Sequence, residues 1–187
     1  MSKAIVLTGS TGGIGKALAS KYLKDNFFVI GLDKIKAKKK ELSLFIQTDL
    51  ITFSSDEDYR NNILSSIKHN LPKNIQELVL VNNAATQIVN SMSKITWEDW
   101  HKSLSINTVA PFFLAQGLFQ ELKAAKGHII NISSIHSKLT KPNFATYAAS
   151  KAALNSLTRS LAIEMSPHGI SVNAILPAAV ETEMLIA

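Results

Sequence analysis

A chain of 187 residues, 46% of them hydrophobic and none of them cysteine, has the length of one domain and enough apolar material for a core. Without thiolates it can build neither a disulfide scaffold nor a cysteine-ligated zinc or iron–sulfur site, and it suits a reducing, cytoplasmic setting. The net charge of +6 is concentrated in one place, since Lys34, Lys36, Lys38, Lys39 and Lys40 with Glu41 contribute +4 of it; a short solvated run with only two arginines in the chain, Arg60 and Arg159, argues against a nucleic-acid footprint.

In chain order, residues 4–8 read as a strand that breaks at Thr8-Gly9, an apolar run too short for a signal segment or a membrane span. A glycine-rich turn leads into a helix over 14–24. Further strands are predicted at 27–32, 44–47, 78–81, 128–132 and 170–175. Further helices are predicted at 56–70, stopped by Pro72, at 97–122, and at 146–165, stopped by Pro167 and Gly169. The polar stretch 87–96 reads as a loop crossing the carboxyl edge of the sheet. Short, nearly all-apolar strands alternating with helices predict an α/β fold, a doubly wound parallel sheet covered on both faces. With no repeat or linker, residues 1–187 read as a single domain.

The turn after the first strand is Thr8-Gly9-Ser10-Thr11-Gly12-Gly13-Ile14-Gly15. Glycines there allow a tight turn and let backbone N–H groups approach a pyrophosphate at the helix N-terminus, which points to a dinucleotide. A nucleoside-triphosphate loop fails on two counts: Ser10 stands where the first glycine is required, and Ala17 follows Lys16 where a hydroxyl must reach magnesium. Asp33 ends the second strand, 18 residues after Gly15. A carboxylate there accepts from ribose hydroxyls and repels a 2′-phosphate, so NAD is the preferred cofactor; Lys34 beside it leaves NADP open.

Tyr147 and Lys151 share a helix face at i and i+4. A phenol is a poor acid–base catalyst at neutrality, and a nearby cation lowers its pKa towards a useful range. Ser134, just past the fifth strand, offers a hydroxyl to a substrate oxygen. Pro111, four residues after Asn107, has no N–H for the Asn107 carbonyl and should kink the helix. That carbonyl is then free to hold a water relaying protons from Lys151. A hydrolase built on Ser134 and His136 lacks a Gly-x-Ser-x-Gly elbow, and the five histidines show no metal-ligand spacing, so no metal is expected.

With Asp49-Leu50, Asn82-Asn83-Ala84-Ala85 and the stretch from Pro177 to Thr182, these pieces give the chain a resemblance over its whole length to the compact branch of the short-chain dehydrogenase/reductases. The turn through Gly9, Gly12 and Gly15 also fits the extended, sugar-nucleotide branch, but Asn82–Ala85 and the length favour the compact one. The resemblance implies a Rossmann-type fold and hydride transfer between NAD(H) or NADP(H) and a small carbonyl or alcohol substrate. It implies Tyr147 as general acid/base, Lys151 as its tuner and a ribose ligand, Ser134 as carbonyl polariser and Asn107 as relay holder. Around the cofactor it implies Gly9, Ser10, Thr11, Gly13, Ile14 and Gly15 of the turn, Asp33 at the ribose, Asp49 and Leu50 at the adenine, and Asn82 with Ala84 on the cofactor side. Pro177, Val180 and Thr182 are implied near the nicotinamide. Such proteins commonly pair their two long helices in homo-oligomers. They usually carry Pro-Gly at Pro177-Ala178, and continue into a substrate-covering helix pair and a seventh strand beyond the length of this sequence. The sixth strand is therefore expected at a sheet edge. A nucleotide-binding relative without catalysis, a sensor or scaffold, is the alternative reading.

Overall fold

The computed structural model describes residues 2–36 and 41–178. Six strands, β1 (Ser2–Thr8), β2 (Phe28–Asp33), β3 (Leu44–Gln47), β4 (Ile75–Asn82), β5 (His128–Ile132) and β6 (Ser171–Ile175), lie in the order β3-β2-β1-β4-β5-β6. Every neighbouring pair is parallel, which is the doubly wound sheet the sequence predicts. The chain runs outward from β1 to β3, then crosses back to β4 on the other side of β1. The carboxyl ends of β1 and β4 thus flank the crevice where open α/β sheets take ligands.

Alternation along the strands sorts two cores. Ala4 and Val6 of β1 pack with Ile30, Leu78, Leu80 and Ile129 on one face, while Ile5 and Leu7 pack with Val29, Val79, Val81 and Ile132 on the other. The helix α1 (Gly13–Lys24) covers the second face through Ala19. The first face is covered by α3 (Glu57–Asn70), by α5 (Ala110–Gly117) and α6 (Phe119–Ala124), and by α7 (Ala145–Met165) through Leu161 and Met165.

Two helical predictions need correction. The helix expected over 97–122 is divided into α4 (Trp97–Leu104), a π-helical turn at Ser105–Val109, α5 and α6. The irregularity expected around Pro111 takes the form of a widened turn. The helix widens one turn earlier, Ala110 N–H reaching back five residues to the Ser105 carbonyl, and Pro111 falls in the first turn of α5, where its missing N–H costs little. The helix expected to begin at residue 56 is preceded by a further one, α2 (Leu50–Ser55), started by the Asp49 side chain accepting from the N–H groups of Ile51 and Thr52. Residues 83–91 cross the carboxyl edge without regular structure, and a 3₁₀ turn follows at Met92–Lys94.

A buried polar chain ties β4, β5 and α7 together. Asn82 Nδ2 donates to Asn131 Oδ1 (2.8 Å), Asn131 Nδ2 donates to Thr158 Oγ1 (2.9 Å), and Thr158 donates to the Leu154 carbonyl (2.7 Å). No helix among the described residues is long and apolar enough to cross a membrane.

Candidate active site

The turn between β1 and α1 is closely fitted. Gly9 has φ +64°, and a Cβ on it would stand 2.8 Å from Ala84 Cα. A Cβ on Gly15 would stand 1.9 Å from the Gly9 carbonyl oxygen, so glycine is required at both positions. The turn is clamped from β4: Asn83 Nδ2 donates to the carbonyls of Thr8 (3.0 Å) and Gly9 (3.1 Å), while Thr8 Oγ1 accepts from Asn83 and Ala84 N–H. The first turn of α1 has neither a side-chain cap nor an acidic residue, so its N–H groups are open to an anion.

Asp33 fastens the same turn. Its Oδ2 accepts from Thr11 N–H (2.9 Å) and the Thr11 hydroxyl (2.8 Å), and Oδ1 accepts from Ile35 N–H (3.2 Å). Lys34 Nζ pairs with Asp49 Oδ2 at 2.8 Å. Burial pushes the Asp49 carboxyl up, but Lys34 and the Ile51 and Thr52 N–H groups outweigh it and hold the group below its ordinary value. The cation next to Asp33 is therefore already partnered.

From this end one cleft of about 660 Å³ runs along the carboxyl edge to Ser134, Tyr147 and Lys151. Ser134 and Tyr147 line it side by side, and Ser134 Oγ accepts from His136 N–H at 3.2 Å. Lys151 is buried, donates to the Ile132 carbonyl (2.7 Å), and has its ammonium 5.9 Å from the centre of the Tyr147 ring. Burial lowers its pKa to about 8. Burial raises that of Tyr147, with the nearby Ser134 hydroxyl opposing, so the net direction for the phenol is opposite to the one the Tyr–Lys spacing suggests. The cause is that Lys151 turns to a main-chain carbonyl while the phenolate form would be poorly solvated.

Three residues expected at the cleft do not line it. Ser10 is buried, with its hydroxyl unpartnered, under Gly31. Asn82 belongs to the polar chain inside the sheet, and it is Asn83 that holds the glycine turn. The Asn107 side chain is enclosed: its Oδ1 accepts from Thr86 N–H (2.9 Å), and Nδ2 donates to the Thr86 carbonyl and to Ser150 Oγ, both at 2.9 Å. It clamps the edge-crossing segment to α7. Gly9, Thr11, Gly13, Ile14, Gly15, Asp33, Asp49, Leu50, Ala84 and Pro177 do line the cleft. Val180 and Thr182 lie outside the described residues. No group of three or more metal-ligating side chains occurs among the described residues.

The family model described as short chain dehydrogenase matches residues 3–187. The chain belongs to the short-chain dehydrogenase family. Within that family, the 5-keto-D-gluconate 5-reductase of Escherichia coli (strain K12) is 33% identical over 190 residues, spanning 97% of this chain and 73% of that protein. The structure of 4-hydroxyisoleucine dehydrogenase complexed with NADH is 30% identical with a TM-score of 0.82, over 99% of this chain and 79% of the other. The structure of ElxO with NADP bound is 29% identical with a TM-score of 0.85, over 100% of this chain and 77% of the other. Similar solved structures thus hold NADH in one case and NADP in another.

Proposed function

We propose that residues 1–187 form one dinucleotide-binding unit that acts as an NAD(P)-dependent oxidoreductase, interconverting a small carbonyl compound and the corresponding alcohol. The observation that carries this reading is the continuity of a single cleft from the glycine turn and Asp33 to Ser134, Tyr147 and Lys151. A nicotinamide dinucleotide fits its first half: the turn brings Gly9, Gly12, Gly13 and Gly15 to the cleft, and the α1 N-terminus there has no side-chain cap. When bound, the nicotinamide supplies or takes up the hydride. Asp33 is assigned to the adenosine ribose, Leu50 to the adenine, and Lys151 to the nicotinamide ribose.

In the reducing direction the Ser134 hydroxyl donates to the carbonyl oxygen, and Tyr147 transfers its proton to that oxygen as negative charge develops. Burial keeps the phenol protonated at neutral pH, the form an acid requires. In the oxidising direction the phenolate is needed. Lys151, still largely an ammonium at pH 7 with a pKa of about 8, stabilises it through space. The Asn107 carbonyl, for which Pro111 has no N–H, holds the water that returns protons from Lys151 to solvent. NAD is preferred because Asp33 repels a 2′-phosphate while Asp49 occupies Lys34.

The test compares wild type with Tyr147→Phe for NADH consumption on a carbonyl panel, alongside fluorescence titration with NADH and NADPH. Turnover should fall at least about 100-fold in the variant, with NADH affinity held within about twofold. Equal, negligible turnover in both proteins with NADH still bound would instead mark a nucleotide-binding relative that does no chemistry. A clear NADPH preference would overturn the assignment of Asp33.

A further inference from the structure

We propose that the substrate carries a carboxylate, received by Lys141 with His136 beside it; this rests on the oxidoreductase reading of the same cleft. The cleft has two ends of different charge. Its only acidic lining residues among those described, Asp33 and Asp49, stand at the glycine end, and both are engaged, by Thr11 and by Lys34. Around Tyr147 the lining supplies Lys141, His136 and Phe144, and no carboxylate.

These side chains are organised around one ring. The Lys141 ammonium sits 4.5 Å above the centre of the Phe144 ring. Phe144 packs against the His136 ring at 4.6 Å and edge-on to the Tyr147 ring at 6.0 Å. A cation is thereby held one aromatic ring away from the phenol, and no carboxylate among the described residues pairs with it. Resting on a π face leaves the charge of the lysine unneutralised. Phe144 is itself buried and gives the space between Tyr147 and Lys141 an apolar wall.

His136 adds a second donor. Its main chain is fixed by the N–H bond to Ser134 Oγ, but its Nδ1 is shut off from solvent with no hydrogen-bond partner. A buried ring nitrogen left unpaired is unfavourable, and no side-chain hydrogen bond among the described residues resists a turn of the ring towards a ligand oxygen. A short oxo acid or hydroxy acid matches this arrangement: the reacting carbon at Ser134 and Tyr147, the carbon skeleton against Phe144, the carboxylate at Lys141. A neutral compound of the same size would leave the cation and the imidazole unanswered.

The experiment measures NADH-dependent reduction of 2-oxobutanoate, 3-oxobutanoate and 4-oxopentanoate against the methyl ester of each, with calorimetric binding of butanoate to the NADH-loaded protein as an activity-free readout. At least one acid should exceed its ester about tenfold in kcat/KM. Lys141→Met should remove that preference through KM, leave ester turnover unchanged and abolish butanoate binding, while Lys141→Arg retains all three. Esters reduced as well as acids, or Lys141→Met depressing both alike, would overturn the proposal and leave the oxidoreductase reading standing, the lysine then being an ordinary solvated side chain. Acids and esters both inert with butanoate unbound overturns it too. Failure of NADH to bind at all sinks the oxidoreductase reading itself.

Discussion

Adding one methyl group at Gly15 tests the cradle directly. The Cβ of Gly15→Ala would lie 1.9 Å from the Gly9 oxygen and 2.8 Å from its carbonyl carbon, whereas even close C···O contacts stand at about 3.3 Å. Gly9 must therefore retreat by more than an ångström. It has nowhere to go, because its N–H is bonded to the Leu32 carbonyl (2.9 Å) and its oxygen to Asn83 Nδ2 (3.1 Å). The cost belongs at the upper end of the roughly 1–3 kcal/mol typical of overpacking. For a chain of this length that is a fall of about 5–10 °C in Tm. Gly12→Ala is the control, since the nearest atom to its Cβ is 3.7 Å away and its φ of −80° suits alanine. Differential scanning calorimetry should show the first variant destabilised and the second within about 1–2 °C of wild type. NADH fluorescence titration should show affinity lost about tenfold or more in Gly15→Ala. Equal melting of the two variants would refute the close-approach reasoning.

Three other outcomes are expected. Asn131→Ala removes the bond made by the Asn82 amide nitrogen, whose Oδ1 is already without a partner, and should cost about 2–4 kcal/mol in urea unfolding. Lys151 has its folded pKa lowered from 10.5 to about 8, so the unfolded chain binds more protons between those values and stability must rise with pH there. Relative to Lys151→Met, cofactor-free wild type should gain on the order of 3 kcal/mol as pH rises from below 8 to above 10.5, and a flat difference would contradict the burial of a charged amine. Asp33→Ser should weaken NADH about tenfold while improving NADPH, with a small loss of Tm because the Thr11 bonds go as well.

The strands were legible because burial on both faces leaves short apolar runs with sharp polar ends, and the fifth is found at the residues expected, 128–132. Helix bounds were legible where Pro167 or Pro72 stops the pattern. What escaped depends on phase and on neighbours. Of two adjacent asparagines, the one that turns towards the glycine loop is decided by where β4 ends. Period two puts Asn82 on the face of Leu78 and Leu80, beneath α7, and leaves Asn83 to the turn. The α2 helix had its signal in Asp49, a residue with the right side chain for an N-cap, but six residues are too few for a periodic pattern to declare itself. The division of residues 97–122 hinges on a widened turn, and hydrophobic spacing does not distinguish i+4 from i+5 bonding over one turn. The Lys141–Phe144–His136 cluster was invisible because ring contacts within the segment joining β5 to α7 have no sequence period.

One more consequence attaches to the asparagine–threonine chain beneath α7. Thr158 lies two helical turns beyond Lys151 and three beyond Tyr147, so all three stand on one stripe of a 21-residue cylinder. Seating Thr158 on Asn131 sets the angle at which that cylinder can roll on the sheet, and with it the bearing of the phenol about 16 Å and the amine about 10 Å away along the axis. Aim at the reacting end is thus governed partly from the far end, like a key whose bit is oriented by its bow.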